Sequence, residues 1–208
     1  MIHFEALTSE ARELFPLLSA FKKDFYLAGG TALALQLGHR ISVDFDLFSP
    51  DPIKKNLLGK VEALYALRTI EVFINNSREL TLTVSGVKHT FLHYPFPVLL
   101  PISEHEPVDT LSPQEILATK AYTIGRRGSQ KDYVDLYTGV SEHVSTLADV
   151  IQSARTKYGD AFNDRLFLEQ LLYLDDVPQA AMQMLKGAAP TREELVDFFQ
   201  RQIAGLLL

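Results

Sequence analysis

Two aspartates separated by one residue, Asp44 and Asp46, are the side chains of this sequence best suited to phosphate chemistry. They lie in SVDFDLF, residues 42–48, where apolar residues alternate and predict a β-strand. Because residues i and i+2 of a strand share a face, both carboxylates are expected on one face, with Val43 and Phe45 turned toward the core. Two carboxylates about 5 Å apart repel by about 3 kcal/mol at an effective dielectric near 20. A bound divalent cation would remove that repulsion, and Mg2+ often takes only one or two protein carboxylates, with phosphate oxygens and water around the rest.

The two aspartates are equally typical of a simpler arrangement, in which they face solvent beside the turn SPDP, residues 49–52. An EF-hand is excluded, because Phe48 and Ser49 stand where its loop needs Asp or Asn and then Gly. The pair alone therefore leaves a metal site and a solvated turn both open.

A Gly-Gly-Thr motif, residues 29–31, lies upstream, between a short apolar strand at 25–28 and a helix that should end near Gly38. Glycine lets a backbone approach phosphate closely, and a helix N-terminus offers free N–H groups. Thr31 is expected to cap the helix or to add a phosphate donor. The motif is neither a Walker loop, which needs G-K-[ST], nor a dinucleotide fingerprint, which needs a third glycine. By itself it is also typical of a tight turn.

The elements expected to position these residues indicate an α+β (α/β) chain. The N-terminal half, 1–108, is expected to form an α/β core with a mixed sheet, and 109–208 an all-helical region that completes the active-site cleft. The predicted strands are 25–28, 42–48, 69–75, 80–84 and 87–94, with a hairpin turn at Ser85-Gly86. The predicted helices include 8–21, with Pro16 at a kink or boundary, 53–68, one from Pro113 to about Ile124, one from Gln130, and one after Thr191. Capping boxes are expected at Ser112–Glu115 and Thr191–Glu194.

Composition narrows the class of protein. The chain has 208 residues, of which 47% are hydrophobic, and this content favours a folded domain. Its formal net charge of −6 argues against a protein that binds long nucleic acid through the backbone. It has no apolar run long enough for a membrane span and no basic leader of the signal-peptide type. Cysteine is absent, which excludes disulfides and thiolate metal sites and fits the reducing cytoplasm, the expected location.

Two blocks of sequence carry a family resemblance. The order strand, Gly-Gly-Thr, helix, Asp-x-Asp resembles the first motif of the polymerase-β-like nucleotidyltransferase superfamily. More narrowly, GGTALALQLGHRISVDFDLF, from residue 29, resembles the AbiEii/AbiGii toxin family, including His39-Arg40. The second block, LSPQEILATKAYTIGRRGSQKDYVDLY at 111–137, resembles that family's later motifs: a lysine on a helix, a basic turn and K-D-x-x-D-L-Y. The two blocks cover about a quarter of the chain.

The resemblance implies an enzyme, a nucleotidyltransferase that moves a nucleotide from an NTP to an acceptor. Asp44 and Asp46 would be catalytic residues that hold the implied cofactor, Mg2+ or Mn2+. Nucleotide contacts would come from the residues Gly29, Gly30, Thr31, Arg40, Lys120 and Lys131. Such transfer needs positioning and charge neutralisation more than covalent catalysis, so this set of residues is chemically consistent.

The residues of the second block leave more than one role open. Lys131 and Asp135 are four apart, which alone indicates a salt-bridged helix face; the resemblance favours Lys131 as a catalytic or phosphate contact. Asp132 is then a catalytic acid or base, or a residue that orients Lys131. Arg126 and Arg127 are expected in a turn, where they contact RNA phosphates or are solvated loop charges. Arg40 is expected to pair with Asp44 or with a phosphate.

One departure from the superfamily pattern concerns a third carboxylate, which usually stands on a later strand. The position that aligns with it is Thr90, and the only other strand-borne acid found was Glu71. The site is therefore expected to use two carboxylates, to recruit His89 or His93, or to be impaired.

Three functions follow from these observations. The first is a nucleotidyltransferase toxin of a toxin–antitoxin or abortive-infection system, with a tRNA end or a protein as acceptor and a cognate antitoxin as partner, and no membrane association. The second, motivated by Thr90, is a non-catalytic descendant that binds nucleotide or a partner. The third is a helical interaction module with an α/β cap.

Overall fold

The architecture comes from a computed structural model, which describes residues 2–207, with the side chains of Arg127 and Leu207 excepted. The first part of the chain contains five strands and several helices. They are β1 Tyr26–Ala28, β2 Phe45–Ser49, β3 Ile70–Asn75, β4 Glu79–Val84 and β5 Val87–His93. The α-helices there are α1 Ser9–Leu14, α2 Gly29–Leu37 and α3 Leu57–Leu64, with 3-10 turns at Phe4–Ala6 and Phe15–Phe21.

The later part of the chain is helical over the residues that the structure describes. Its helices are α4 Pro113–Arg127, α5 Gln130–Ser141, α6 Leu147–Tyr158, α7 Asp164–Leu172 and α8 Arg192–Ala204, with 3-10 turns at Gly159–Ala161 and Gly205–Leu207. In the part that the structure describes, no helix is long and apolar enough to cross a membrane.

The strands form one mixed sheet in the order β1-β2-β5-β4-β3. β2 and β5 are parallel, whereas the other neighbouring pairs are antiparallel. A mixed sheet followed by a helical half is the predicted fold class, which is thereby confirmed. The β4–β5 hairpin turns at Ser85 and Gly86, where φ is 48° and 83°, as two-residue hairpin turns require.

One face of the sheet is apolar and forms the core of this part of the chain. Its fully buried side chains come from β2, β4 and β5: Phe45, Leu47, Leu80, Leu82, His89 and Phe91. Aromatic rings pack on them, with Phe21 4.9 Å from Phe91 and Phe15 6.0 Å from Phe45 between ring centroids. On the opposite face, β2, β5 and β4 place the polar residues Asp46, Thr90 and Thr81 in one row.

Three element predictions differ from the structure. The helix predicted at 8–21 is α1 followed by a 3-10 turn, and the change of form occurs at Phe15–Pro16, because proline lacks an N–H and clashes with the preceding turn. The helix predicted at 53–68 is the shorter α3. The strand predicted at 42–48 begins only at Phe45.

By their internal contacts, the residues form two compact units. The first contains the residues up to Pro97 together with Pro101–Leu111, and the second contains Val98–Leu100 together with the residues from Ser112 onward. In the second unit, α4 packs against α5, α6 and α7. The boundary predicted between residues 108 and 109, and the cleft expected between the two halves, stay predictions.

Candidate active site

Asp46 lies directly against the backbone of Gly29. The β1–β2 register pairs Ala28 with Asp46, and Gly29 follows as the first residue of α2. Gly29 has φ +64°, in the left-handed region that favours glycine. A Cβ at this position would overlap the Asp46 carboxylate, with the Cγ of Asp46 only 3.1 Å away. Glycine is therefore required here both by the turn and by the carboxylate beside it.

Thr31 turns its hydroxyl into the protein. Its side chain is 2% exposed, its Oγ1 donates to the backbone carbonyl of Asp44, and it lies 2.7 Å from the Oγ of Ser42. The residue that precedes α2 is Ala28, and no side chain caps the helix. The expectation that Thr31 caps α2 is therefore wrong, because its hydroxyl bonds the Asp44 carbonyl and not the N–H groups of the helix.

The two aspartates stand at the start of β2. Asp44 is the residue before the strand and Asp46 is the second residue within it, and both are half-buried. Val43 is 41% exposed, whereas Phe45 is fully buried, so the predicted placement of Val43 in the core is wrong. The alternation that buries Phe45 begins only where β5 pairs with β2, at Phe45.

Arg40 is almost fully buried just before this stretch. Its Nη1 donates to the carbonyl of Ile41 at 3.1 Å and approaches the Oγ of Ser42 at 3.5 Å. The guanidinium thus supports the segment that leads into Asp44. Direct contact between Arg40 and a nucleotide stays a prediction.

The position opposite Asp46 on β5 is Thr90, the residue that the sequence analysis aligned with the superfamily's third carboxylate. The Thr90 Oγ1 is buried and has no hydrogen-bond partner among the described residues. Within residues 2–207, no three His, Cys, Asp or Glu side chains are grouped as a metal cluster would need. The candidate site therefore has two carboxylates, and a divalent cation there would complete its shell with water and phosphate oxygens.

The strands carry one acid that the sequence analysis missed. Glu79 begins β4 and accepts a hydrogen bond from the Thr81 hydroxyl at 2.6 Å, on the same face of the sheet as Asp46. The strand was predicted to begin one residue later, so Glu79 was assigned to the loop. Glu71, the acid considered instead, is exposed on the edge strand β3.

Histidine does not join Asp46. His89 pairs with Phe45 and lies in the core, where burial lowers its pKa to about 4 although its Nδ1 bonds the Val87 carbonyl. The neutral ring faces away from Asp46, because neighbouring residues of a strand project from opposite faces. His93 lies farther along β5, opposite Ser49.

A second group of charged residues lies in the helical unit. The Nζ of Lys120 on α4 lies 2.7 Å from Asp132 Oδ1 and 2.8 Å from Asp135 Oδ2, both on α5. Burial alone would lower the pKa of Lys120, but the two carboxylates outweigh it and raise that pKa. Burial likewise favours a higher pKa for Asp132, and Lys120 overrides it, so the pKa of that carboxyl is lowered. We call these three residues the lysine cluster.

Asp132 is also held by the start of its own helix. Its Oδ2 accepts hydrogen bonds from the backbone N–H and the hydroxyl of Ser129, each at 2.9 Å, which completes a capping box. Asp135 is fully buried against Lys120, so the predicted salt-bridged face of Lys131 and Asp135 is wrong. Lys131 is half-exposed, and no ion pair of its side chain is found among the described residues.

Arg126 lies in the last turn of α4, which extends to Arg127, so the turn predicted for both arginines is helical. The Arg126 guanidinium lies 4.4 Å from the ring centroid of Tyr122, which itself stacks on Tyr158 at 4.0 Å. Its Nη2 also donates to the carbonyl of Ala161 at 3.1 Å. The predicted role of the Arg127 side chain lies outside the described side chains.

A cavity of about 510 Å³ opens beside Arg126 within the helical unit. Polar side chains of Arg126, Gln170 and Asp176 line it together with apolar Ile124 and Val177. Its mixture of charged, amide and apolar groups could accept a polar ligand.

Comparison with known proteins finds sequence relatives of this chain. Residues 14–106 match the sequence model of the nucleotidyl transferase AbiEii toxin family of type IV toxin–antitoxin systems. An uncharacterized protein of Aquifex aeolicus is 29% identical over 191 residues, which cover 86% of each chain.

Solved structures support the same fold. The nucleotidyltransferase toxin MenT4 of Mycobacterium tuberculosis superposes with a TM-score of 0.63 at 18% identity, covering 97% of this chain and 87% of that one. JHP933 of Helicobacter pylori superposes with a TM-score of 0.53 at 19% identity, covering 97% and 95%. The nucleotidyltransferase fold predicted from the sequence is confirmed, and residues 14–106 match a nucleotidyltransferase family model.

Proposed function

Since residues 14–106 match the model of the AbiEii nucleotidyltransferase toxin family, we propose that this protein transfers a nucleotide from an NTP to an acceptor hydroxyl with a divalent cation at Asp44 and Asp46. The observation that carries the proposal is the position of the Asp46 carboxylate, which lies against Gly29 at the start of α2. This proximity supports a site in which the carboxylate holds the cation and the start of α2 binds the phosphates.

The start of α2 is the proposed triphosphate site. The first N–H groups of a helix have no partner within the helix, and they carry partial positive charge. Gly29, Gly30 and Thr31 are the first three residues of this nine-residue helix, so their backbone N–H groups are the proposed phosphate donors. Arg40, buried downstream of α2, is proposed as a further nucleotide contact.

The donor set of the two aspartates suits a hard cation, Mg2+ or Mn2+. Such a cation, when bound, neutralises phosphate charge and lowers the pKa of the attacking oxygen. The residues of the chain hold it and orient the NTP: Asp44 and Asp46 supply oxygens, and the α2 backbone fixes the phosphates. The Thr90 hydroxyl has no protein partner among residues 2–207. It lies on the strand position opposite Asp46 and is proposed as a further donor to water or phosphate.

In the helical unit, the proposed nucleotide contacts are Lys131, which is half-exposed, and Lys120, which is paired with Asp132 and Asp135. Lys120 can meet a phosphate only by sharing its three N–H donors with Asp132 and Asp135. Asp132 is proposed as a catalytic acid or base through this cluster. Its lowered pKa keeps it ionised at neutral pH, which rules out the role of acid and makes it a weak base.

The acceptor is proposed to be a tRNA end. Arg126, stacked on Tyr122, offers a guanidinium and an aromatic surface of the kind that binds single-stranded RNA, and Arg127 lies next to it in sequence. A protein acceptor is the other outcome of the test below. The family belongs to toxin–antitoxin systems, so a cognate antitoxin is the proposed partner.

A transfer assay tests the proposal. The protein is incubated with each radiolabelled NTP, Mg2+ or Mn2+, and total tRNA, beside an Asp44→Ala/Asp46→Ala variant. Label is expected to move to RNA with wild type and to remain in the NTP with the variant. Equal transfer by the variant, or no transfer to RNA or protein by wild type, would contradict the proposal.

One observation favours an alternative function. Thr90 stands where the superfamily pattern has its third carboxylate, which suits a descendant that binds nucleotide or a partner without catalysis. Calorimetry distinguishes the two functions: NTP binding without transfer to any acceptor supports the alternative.

A further inference from the structure

We propose that the side-chain features of the Gly-Gly-Thr motif serve the aspartates: Gly29 and Thr31 are positioning residues for Asp46 and Asp44. This inference rests on the proposed function, since it takes the two aspartates as the cation ligands. It differs from a phosphate role for the motif, because it assigns the missing Cβ and the hydroxyl to the protein itself. The backbone N–H groups of α2 remain available to phosphate.

The first half of the motif acts through space. The carboxylate of Asp46 occupies the volume that a Cβ on Gly29 would fill, and that Cβ would lie 3.1 Å from the Asp46 Cγ. Asp46 is fixed on β2 by its pairing with Ala28 on one side and Thr90 on the other, so its backbone cannot move away. Any larger residue at 29 must therefore turn the Asp46 side chain to another rotamer.

The second half acts through a chain of hydrogen bonds. A threonine hydroxyl has one proton, and Thr31 donates it to the backbone carbonyl of Asp44. The Ser42 hydroxyl, 2.7 Å away, must then donate to Thr31 Oγ1, and Arg40 Nη1 lies 3.5 Å from Ser42 Oγ. The chain runs from Arg40 through Ser42 and Thr31 to Asp44, and each bond polarises the next.

Burial makes these hydrogen bonds difficult for water to replace. Thr31 and Arg40 are each 2% exposed and Ser42 is 7% exposed, so little water can replace a lost bond. Asp44 precedes β2 and lacks the strand pairing that fixes Asp46. The hydroxyl of Thr31 therefore does for Asp44 what the sheet does for Asp46: it fixes the backbone that carries a ligand. Residues that orient a metal ligand typically change metal affinity or activity by about 10–100-fold when they are replaced.

Mn2+ binding, followed by electron paramagnetic resonance with and without a nonhydrolysable NTP, tests Thr31. Thr31→Val keeps the shape and removes the hydroxyl, so its Mn2+ dissociation constant should rise about tenfold. In transfer assays kcat should fall with it, while KM for the NTP stays within about twofold. Thr31→Ser restores the hydroxyl and should restore both values. A raised KM with unchanged Mn2+ affinity would assign the hydroxyl to phosphate and overturn the inference.

Gly29→Ala provides an independent test, with Gly86→Ala as its matched control. Gly86 also has a left-handed φ, +83°, but a Cβ there meets nothing within 4 Å. Both variants should lose comparable stability from the backbone, and only Gly29→Ala should lose Mn2+ affinity, by at least tenfold. Equal Mn2+ affinity in the two variants overturns the role of Gly29.

These measurements separate the inference from the proposed function. Mn2+ binding that depends on Thr31 and Gly29, in a protein that transfers no nucleotide, leaves the inference standing and removes the catalytic proposal. Wild-type protein that binds no Mn2+ with or without nucleotide overturns the inference, because the aspartates then have no cation to hold. Should Thr31→Val fail to fold, Thr31→Ala and Gly29→Ala carry the same comparison.

Discussion

The aspartate pair, Asp44 and Asp46, and the lysine cluster hold their carboxylates in different surroundings. Asp44 and Asp46 are half-buried, and the described residues bring no third acid to them. Asp132 and Asp135 instead share one buried lysine at 2.7 and 2.8 Å. The second group is built around a lysine of the chain, whereas the first is the proposed ligand pair of a bound metal ion. Spacing in the sequence alone does not predict such surroundings, because Lys120, the partner of Asp132 and Asp135, lies on another helix.

The largest expected effect comes from Asp46→Asn. The amide keeps the shape of the side chain and removes the charge that holds the cation, so transfer should fall about 10³-fold, or about 4 kcal/mol. Glu71→Gln makes the same charge change at an exposed strand position and should leave the rate unchanged. Rates are measured with saturating NTP. Similar losses in both variants would mean that overall charge, and not the site, controls activity.

Asp135→Asn should instead act on stability. The residue is fully buried against Lys120, and removal of one partner from a buried ion pair typically costs about 3–5 kcal/mol. Asp44→Asn, the matching change in the aspartate pair, should alter the free energy of unfolding by less than about 1 kcal/mol. Urea denaturation at pH 7 measures both. If Asp44→Asn proved the more destabilising, the contrast between the two groups would be reversed.

The lysine cluster should also make stability depend on acidity. Asp132 has a pKa lowered below its ordinary value of 3.8 in the folded protein, so it stabilises the fold above that value. Asp132→Asn should cost about 2 kcal/mol at pH 7. The gap between wild type and this variant should hold down to about pH 4 and close as the pH falls through the lowered pKa. Urea midpoints from pH 7 to pH 2.5 test this, and a gap that widens toward acid contradicts it.

Lys131→Gln should give the smallest effect. Its side chain is half-exposed and makes no ion pair among the described residues, so the free energy of unfolding should change by less than about 0.5 kcal/mol. KM for the NTP should rise about tenfold, or about 1.4 kcal/mol, if Lys131 contacts the nucleotide. Lys120→Gln, by contrast, should lower stability and activity together. An unchanged KM in Lys131→Gln would remove that lysine from the site.

Local signals in the sequence predicted the elements whose structure is decided locally. Ser85-Gly86 forms the hairpin turn because both residues adopt positive φ, and Thr191–Glu194 forms the predicted capping box. Gly38 ends α2 in the left-handed conformation expected of a helix stop. Each of these depends on fewer than five consecutive residues.

Predictions failed where the partner of a side chain lies far away in the sequence. Glu115 was expected to cap its own helix, but its carboxylate accepts the N–H groups of Leu99 and Leu100 and pairs with Lys157 on α6. Ser112 alone keeps its part of that box, accepting from the Glu115 N–H at 3.4 Å. A buried lysine offers a stronger partner than a helix end, and nothing in the local sequence shows it.

The candidate site shows the same division. Asp44, Asp46 and Gly29 were found from local spacing, and the position of Thr90 from the family pattern. The partner of Asp135 is Lys120, on another helix, so spacing along α5 pointed to Lys131 instead. The inward hydroxyl of Thr31 was likewise invisible, because its acceptor lies 13 residues away.

The path of the chain around residue 100 determines how the protein can be dissected. Leu99 and Leu100 donate to Glu115 at 2.6 and 2.9 Å, whereas Leu27 bonds Asp109 and Leu111 at 2.7 and 2.8 Å. The polypeptide thus changes unit after Pro97, after Leu100 and again after Leu111. A single break after Pro97 would separate β1 from the segment at Asp109 and Leu111 that bonds Leu27. A break after Leu111 would leave the buried Glu115 carboxylate without the N–H groups of Leu99 and Leu100. Neither half should fold as a simple truncation, so fragments would have to be co-expressed and reassemble to recover the native protein.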